Sequence, residues 1–387
     1  MCEEIPSGER YCDNMETNMK VMEVSMARLE HIQKQLAAND AILVLGPGDD
    51  FRYAVDWSPH GDERLTFLWI GSHDAVLVVP SVNAEDARVH MPSSVAILEF
   101  SDQKGPDAAV AAALERMTRA GHALYLSDDA RFDHSQILFS QATDRNRFKL
   151  ASSLVAPMRM VKDPDEARRL KASQWINDRA METAYRSIRE GMTEIELQDI
   201  IRRAFMAHGA DREAFIIVAA GSNSAMPHHA SDDTVIRPGP VLLDIGCFKE
   251  GYASDMTRMA HLGVPAQDFV TVHSIVQESN QAGCQAARPG ASAESVDGAA
   301  RRIIEDRGFG EYFVHRTGHG IGLSVHEPPS IMEGNKLTLP EHAFFSVEPG
   351  IYLPGRFGVR LEDVVMLTPD GCEVLSKIPR DIHVVTR

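Results

Sequence analysis

One stretch, residues 241–258, constrains the fold of this chain more than any other. An apolar run at its start contains a single carboxylate, Asp244, and a second carboxylate, Asp255, follows a short polar turn. If Lys249 and Glu250 form a two-residue hairpin loop, Asp244 lies directly opposite Asp255, with Cβ atoms about 5 Å apart. Two carboxylates this close in a buried sheet repel each other unless one is protonated or a cation lies between them. The hairpin therefore predicts either a shared proton or a metal site.

A second pair of apolar runs repeats this arrangement near the end of the sequence. Residues 343–352 and 358–367 are rich in β-forming side chains, and each run is interrupted by one glutamate, Glu348 or Glu362. The segment between them contains Pro-Gly, which favours a turn. A hairpin centred there brings Glu348 close to Glu362.

Histidines are concentrated in a polar, glycine-rich segment between the two hairpins, residues 315–329. His315, His319 and His326 fall within it, and its glycines allow the backbone to approach a ligand closely. A single histidine is usually a surface or core residue, but three in so short a segment favour a functional site. A His-His pair that begins at His228 comes just before the first hairpin, and this position favours a functional role for the pair as well.

The combined set of two aspartates, two glutamates and a histidine is rich in hard oxygen donors. Such a set suits divalent Mn, Co, Zn or Fe, and it holds too many carboxylates for one structural zinc. Four carboxylates are balanced by two divalent cations, which bridging carboxylates would hold about 3.5–4 Å apart. The residues therefore predict metal-assisted hydrolysis with two divalent metal ions.

These motifs together resemble the "pita-bread" metallopeptidases and their relatives: Xaa-Pro aminopeptidase, Xaa-Pro dipeptidase (prolidase), methionine aminopeptidase and creatinase. The resemblance covers residues 160–387. The matching segments are Asp244 with Ser254-Asp255-Met-Thr-Arg258, Gly318-His-Gly-Ile-Gly-Leu-Ser-Val-His326, Glu348-Pro-Gly350 and Arg360-Leu-Glu-Asp363.

The resemblance implies a specific role for each metal-binding residue. Asp244 is implied to hold one metal, and His319 with Glu348 the other. Asp255 and Glu362 are implied to bridge the two metals.

The same resemblance implies catalytic and substrate-binding residues. His228 and His326 match two histidines that flank the scissile bond, and Glu348 is implied to accept a proton while it binds a metal. His315 and Arg360 match positions that engage substrate in the proline-specific branch.

The fold expected from these observations is α+β. Strands alternating with helices over residues 21–157 predict a smaller amino-terminal α/β domain, of the kind found in the creatinase branch. The resemblance implies that residues 158–387 form the catalytic pita-bread domain, a curved antiparallel sheet with helices on its outer face.

The amino-terminal domain favours the branch of Xaa-Pro peptidases and creatinase, since methionine aminopeptidases of this family usually lack it. The predicted function is hydrolysis of the Xaa-Pro bond at the amino terminus of short peptides or in dipeptides. The alternative is a non-peptidase hydrolase or lyase of the same fold that acts on a small zwitterionic metabolite. Creatinase-like members have lost metal ligands, and dimethylsulfoniopropionate lyases carry an extra aspartate where this chain has Gly246. A non-catalytic binding protein is a third reading, but such proteins usually lose ligands as well.

Composition limits the kinds of binding partner and the cellular compartment that we expect for this protein. The formal net charge is −17 and no basic tract compensates it, which argues against nucleic acid and anionic membranes as partners. No apolar run reaches 18 residues, so no membrane span is expected. The five cysteines are widely spaced without a CxxC pair, which argues against disulfides and for the cytoplasm. A short peptide or small molecule is the expected substrate, and the resemblance implies a homodimer.

The remaining expectations concern local structure. Residues 1–20 are polar and acidic and predict a disordered leader, and a helical periodicity follows over residues 24–39. Residues 51–57 predict a packed aromatic loop. Asp163-Pro164 predicts the start of a long helix, and Thr193 with Glu196 predicts a capping box at the start of the next.

Overall fold

The chain forms two compact units that meet in sequence between Met158 and Arg159. The structure, a computed structural model, describes residues 11–117, 122–142 and 147–386. Within these ranges no helix combines the length and the apolar character that crossing a bilayer requires. Each unit has its own sheets and its own buried apolar clusters.

The first unit is built around one mixed six-stranded sheet in the order β4-β3-β2-β1-β5-β6. Strand β1 pairs in parallel with β5 and antiparallel with β2, and β2 is also antiparallel to β3. The strands are β1 (Ala41–Leu45), β2 (Phe67–Ile70), β3 (Ala75–Pro80), β4 (Val95–Phe100), β5 (Ala123–Leu126) and β6 (Phe148–Leu150). The helices are α1 (Tyr11–Asn39), α2 (Asp49–Val55), α3 (Ala84–His90), α4 (Asp107–Met117), α5 (Phe132–Gln141) and α6 (Ser152–Met160), and the last two residues of α6 belong to the second unit.

Two local expectations differ from the structure in this unit. Helix α1 begins at Tyr11, so it includes the second half of the predicted leader, and residues 1–10 lie outside the described residues. Residues 49–55 form helix α2 where a loop was predicted. Two aspartates in its first turn favour a helix start, and Phe51, Ala54 and Val55 are buried at helical spacing.

The second unit consists mainly of antiparallel sheets. One has the order β18-β10-β8-β7 with β9 added to β8, another has the order β12-β11-β13-β16-β17, and β14 pairs with β15. The strands are β7 (Arg212–Ala220), β8 (Gly239–Lys249), β9 (Tyr252–Ala253), β10 (Met256–Leu262), β11 (Gly318–Gly320), β12 (Glu327–Ile331), β13 (Phe344–Val347), β14 (Gly350–Leu353), β15 (Phe357–Arg360), β16 (Asp363–Thr368), β17 (Gly371–Val374) and β18 (His383–Val385).

Four helices cover these sheets: α7 (Pro164–Ser187), α8 (Glu194–Ala207), α9 (Gln267–Ala286) and α10 (Ala293–Asp306). The predicted caps are confirmed, since capping boxes form at Asp163 and at Thr193. Leu243 and Ile245 of β8 are part of the buried cluster that includes residues of α7 and α8. Because neighbouring side chains on a strand alternate between faces, Asp244 points to the opposite face, away from those helices.

The register of the first hairpin differs from the prediction by two residues. The turn is Glu250-Gly251, both with positive φ (50° and 81°), as a type I′ turn requires. Asp244 therefore pairs with Thr257 and not with Asp255. A shift of two residues preserves the face of each side chain, so both carboxylates still point to the same side of the sheet.

The register of the second hairpin is as predicted. Gly350 pairs with Arg360 in one strand pair and Val347 pairs with Asp363 in the other. These two pairs flank Glu348 and Glu362 symmetrically, which brings the glutamates together as expected.

Candidate metal centre

One cavity in the second unit, the metal cavity, has a volume of about 620 Å³ and is lined by every site residue singled out from the sequence. Its wall includes the following nine of them: His228, Asp244, Asp255, His315, His319, His326, Glu348, Arg360 and Glu362. They come from strands and loops that span more than a hundred residues of sequence, so only the fold brings them together.

Three carboxylates at the base of the cavity are buried with unsatisfied oxygens. In the described part of the chain, Asp244 Oδ1, Asp255 Oδ1 and Glu362 Oε1 have no hydrogen-bond partner. Burial, and next the charge of Asp244, raises the pKa of Asp255 well above its ordinary value. Burial and the charge of Asp255 do the same to the pKa of Glu362. The protein therefore supplies too little positive charge to balance these three carboxylates.

His319 supplies the nitrogen donor of this cluster. Its Nδ1–H donates to the carbonyl oxygen of Gly320 at 3.1 Å, which directs the lone pair of Nε2 towards the carboxylates. Nε2 lies 3.6 Å from Asp255 Oδ2 and 3.3 Å from Glu348 Oε1. Burial, and next the neighbouring His326, lowers the pKa of His319 to about 3. The ring is therefore neutral, as a metal ligand must be.

The donor set fits divalent cations. Ligand atoms of Asp255, His319 and Glu362 all lie within 4.8 Å of one another, so one cation could contact all three. Asp244 and Glu348 line the same cavity and complete a set of hard oxygen donors with one imidazole. A cation would satisfy the buried oxygens that the protein leaves without partners.

The sequence resemblance implied that Arg360 engages substrate, but its guanidinium already makes several hydrogen bonds within the protein. It donates to Asp244 Oδ2 through Nη2, to Thr257 Oγ1 through Nε at 3.1 Å, and to the Tyr352 hydroxyl through Nη1 at 2.8 Å. Thr257 in turn donates to Glu362 Oε2 at 2.8 Å. Arg360 thus orients the carboxylate of Asp244 directly and that of Glu362 through Thr257.

Tyr352, which sequence reasoning missed, links Arg360 to His315. His315 Nδ1–H donates to the carbonyl oxygen of Arg316 at 2.7 Å, so Nε2 accepts from the Tyr352 hydroxyl at 2.8 Å. Burial lowers the pKa of His315 to about 4 and raises that of Tyr352 to about 12. Both nitrogens of His315 therefore have partners within the protein.

His228 and His326 face the cavity with exposed side chains. The ring of His326 stands edge-on to that of His319, with centroids 4.2 Å apart. Burial, and next the positive charge of Arg316, lowers the pKa of His326. A neutral imidazole in this position can donate one ring N–H to an oxygen that develops negative charge.

Five further lining residues were not singled out from the sequence, and one of them, Pro227, directly precedes His228. Phe215, Ile217 and Val325 form an apolar wall, and Arg316 adds a positive charge. The spacing of Phe215 and Ile217 on one face of β7 was the available signal, and Arg316 directly follows His315. None of these residue types marks a site by itself.

Gly246, which distinguished this chain from the lyases of the fold, is closely packed. A Cβ at this position would lie 2.4 Å from the carbonyl oxygen of Ser254 and 2.7 Å from the Phe215 ring. No side chain fits there without displacement of backbone. The extra aspartate of the lyases is therefore incompatible with this hairpin.

A buried ion cluster anchors the segment that carries His326. The next residue, Glu327, accepts hydrogen bonds from Lys162 Nζ at 2.7 Å and from Arg159 Nη2 at 2.5 Å. Burial alone would raise the pKa of Glu327, but these two cations hold it below its ordinary value. Only 3 % of the Glu327 side chain and 1 % of that of Lys162 are exposed.

Replacing Lys162 with methionine is expected to destabilise the protein by about 3–5 kcal/mol, because it removes one partner of a buried charge. Urea denaturation followed by circular dichroism measures the loss. Lys171→Met is the matched control, since Lys171 pairs with Glu373 at the same 2.7 Å but at the surface. That control should cost less than about 1 kcal/mol. Equal losses in the two variants would contradict the role assigned to the buried cluster.

Comparison with known proteins places these features in a family. Residues 168–369 match the model of metallopeptidase family M24, a span of more than half of the chain. The chain belongs to this family. It is therefore a metallopeptidase, and its α+β fold is the pita-bread fold that the sequence resemblance implied.

Several members of the family resemble the whole chain. An Xaa-Pro dipeptidase of Lactobacillus helveticus is 32 % identical over 363 residues, which cover 92 % of this chain and 98 % of the relative. The crystal structure of dipeptidase PepE from Mycobacterium ulcerans is 35 % identical with a TM-score of 0.88, and covers 94 % of this chain and 98 % of that one. A prolidase from Thermococcus sibiricus has 32 % identity and a TM-score of 0.85, with 92 % and 98 % covered.

Proposed function

We propose that this chain is an Xaa-Pro dipeptidase that uses two divalent metal ions. The observation that supports the proposal is that all five predicted ligand residues line one cavity, in a chain whose dipeptidase relatives match it almost from end to end. Asp244 would hold one metal, and His319 with Glu348 would hold the other. Asp255 and Glu362 would bridge them.

The cavity suits a small substrate with a free carboxylate. A volume of about 620 Å³ falls in the range of small-molecule sites. The apolar wall of Phe215, Ile217 and Val325 can pack against a proline ring or an apolar side chain. Arg316 provides a positive charge in the same cavity that a carboxylate can approach, whereas Arg360 is already paired with Asp244.

Bound divalent cations would supply Lewis acidity, which polarises the scissile carbonyl and acidifies water towards a pKa of ~7. The protein residues supply the remaining functions. Glu348 is suited to hold and pass a proton, because burial raises its pKa from 4.5 to about 7. Its carboxylate also accepts a hydrogen bond from Ser346 Oγ at 3.3 Å, which limits its rotation.

The two histidines that face the cavity are proposed to contact substrate at the scissile bond. His326 is proposed to donate a ring N–H to the carbonyl oxygen as negative charge develops there. His228 is proposed to bind substrate or to assist the departing imide nitrogen. His315 and Arg360 are proposed to shape the substrate pocket together through Tyr352, which contacts both.

The finer properties of the enzyme are part of the same proposal. We propose a homodimer that works in the cytoplasm with Mn, Co, Zn or Fe. The many carboxylate oxygens and the single imidazole are compatible with each of these metals.

The proposed activity is tested with purified protein loaded separately with each metal. We expect Ala-Pro and Met-Pro to be cleaved at least about 10-fold faster, by kcat/KM, than Ala-Ala and Ala-Pro-Ala. Chelation should abolish the activity, and release of the amino-terminal alanine or methionine, measured by mass spectrometry, provides the readout for all four peptides. Protein that binds two metals per chain but cleaves no Xaa-Pro peptide would refute the proposal. Preference for the tripeptide would instead identify an aminopeptidase.

A further inference from the structure

The segment that carries His228 is held by one buried carboxylate on a neighbouring helix. Glu194, the first residue of α8, is fully buried. Its Oε1 accepts from the Ala220 backbone N–H at 2.7 Å and from Asn223 Nδ2 at 3.0 Å. Its Oε2 lies 2.6 Å from His229 Nε2 and accepts from the Asp232 backbone N–H at 3.2 Å. One side chain thus connects the last residue of β7 with three points of the loop between β7 and β8.

His228 and His229 lie on opposite sides of this loop. They belong to a turn that is closed by a hydrogen bond from the His229 backbone N–H to the Met226 carbonyl oxygen at 3.1 Å. His228 is exposed to the metal cavity, whereas His229 is buried against Glu194. The direction of one ring therefore depends on how the other is held.

We infer that Glu194 and His229 form a positioning pair that holds His228 towards the scissile bond. The inference rests on the proposed function, because it assigns the pair to the same reaction. Since the carboxylate can only accept, His229 Nε2–H donates to it, and the hydrogen bond fixes the ring and the turn. A displacement of about 1 Å at a reacting group can cost about 100-fold in rate.

A third metal site is the competing explanation, since Glu194, His229 and Asp232 have ligand atoms within 4.8 Å of one another. The contacts argue against it. The 2.6 Å between His229 Nε2 and Glu194 Oε2 is a direct hydrogen bond that leaves no space for a cation. Both oxygens of Glu194 are already used by the loop, and Asp232 Oδ1 accepts from the Thr234 backbone N–H at 2.7 Å.

A kinetic double-mutant cycle tests the positioning role. We expect His229→Phe, which removes the donor but keeps an aromatic ring, to lower kcat by ~10- to 100-fold with both metals retained. His229→Gln, whose amide can place an N–H where Nε2 was, should recover activity to within about 3-fold of the parent. In a His228→Ala background, adding His229→Phe should cause little further loss of rate.

Melting temperatures provide a second readout that does not depend on activity. His229→Phe should lower the Tm of the metal-free protein equally in the parent and in the His228→Ala background. Ser279→Ala, which removes a buried hydrogen bond to the Ala300 carbonyl oxygen in another part of the unit, is the control. It should lower Tm without changing kcat. If His229→Phe does not fold, His229→Asn replaces it in the same cycle.

Three results would overturn the inference. They are parental activity in His229→Phe, rate losses that multiply in the double variant, and a third metal per chain that the His229 variants lose. Failure of the proposed function is distinguishable, because it appears in the parent protein as absence of Xaa-Pro cleavage. The cycle itself compares variants on whichever substrate the parent hydrolyses.

Discussion

Asp255→Asn is expected to lose the metal pair and to lower kcat/KM for Xaa-Pro dipeptides by at least about 10³-fold, which corresponds to about 4 kcal/mol of transition-state stabilisation. The substitution keeps the shape of the side chain but removes a carboxylate from the bridging position proposed for it. Glu362→Gln should have the same effect for the same reason. Metal content per chain, measured by plasma mass spectrometry after gel filtration, should fall from two to one or fewer.

A buried aspartate outside the cavity supplies the matched control. Asp178 accepts from the Ser376 hydroxyl and from the Lys377 backbone N–H, both at 2.9 Å, and does not line the metal cavity. Asp178→Asn should keep both metals and most of the activity. Two tightly bound metals in Asp255→Asn or Glu362→Gln would refute the bridging assignment.

Without metal, Glu362→Gln is expected to be more stable than the parent protein, and with metal the order should reverse. Burial and the charge of Asp255 raise the pKa of Glu362 above its ordinary value. A carboxyl with a raised pKa contributes stability below its unfolded pKa and loses that contribution as pH rises through the folded pKa. Glutamine does not titrate and avoids this loss. The free energy of unfolding of the variant should therefore exceed that of the parent by a further ~1.4 kcal/mol for each pH unit between the unfolded and the folded pKa of Glu362.

Thermal midpoints of both proteins from pH 5 to pH 8, with chelator and with metal, measure this crossover. The comparison is made within each pH because burial lowers the pKa values of His273, His315 and His319, which destabilises both proteins alike below pH 6.5. Glu311→Gln, a change at an exposed carboxylate, should show no such crossover. A metal-free parent that is more stable than Glu362→Gln at pH 8 would contradict the prediction.

The two hairpins show how far local pattern determines register. Both were recognised from single carboxylates within apolar runs, and both exist. The second was aligned correctly because Pro-Gly marks its turn, where Gly355 has a φ of 72°. The first was misaligned because the choice between Lys249-Glu250 and Glu250-Gly251 depends on positive φ at both turn positions. Gly251 adopts such a conformation at no steric cost.

The substrate-facing residues show where the sequence was insufficient. The motif placed His315 in the site, and it does line the cavity, but its two nitrogens are bonded to Arg316 and Tyr352. Tyr352 looked like an ordinary strand residue. Its importance comes from contacts with residues distant in sequence, which no local pattern encodes.

The sequence by itself determined the chemistry of this protein, because the ability to bind a metal belongs to the side chain. Two aspartates, two glutamates and a histidine in recognisable motifs were sufficient to predict a divalent metal centre. The tertiary structure alone decided which oxygens lack partners, which nitrogen of His319 faces them, and how His228 is held. Those properties depend on contacts such as Arg360 with Asp244, 116 residues apart, and Glu194 with His229, 35 residues apart. Only the folded chain brings such pairs within hydrogen-bonding distance.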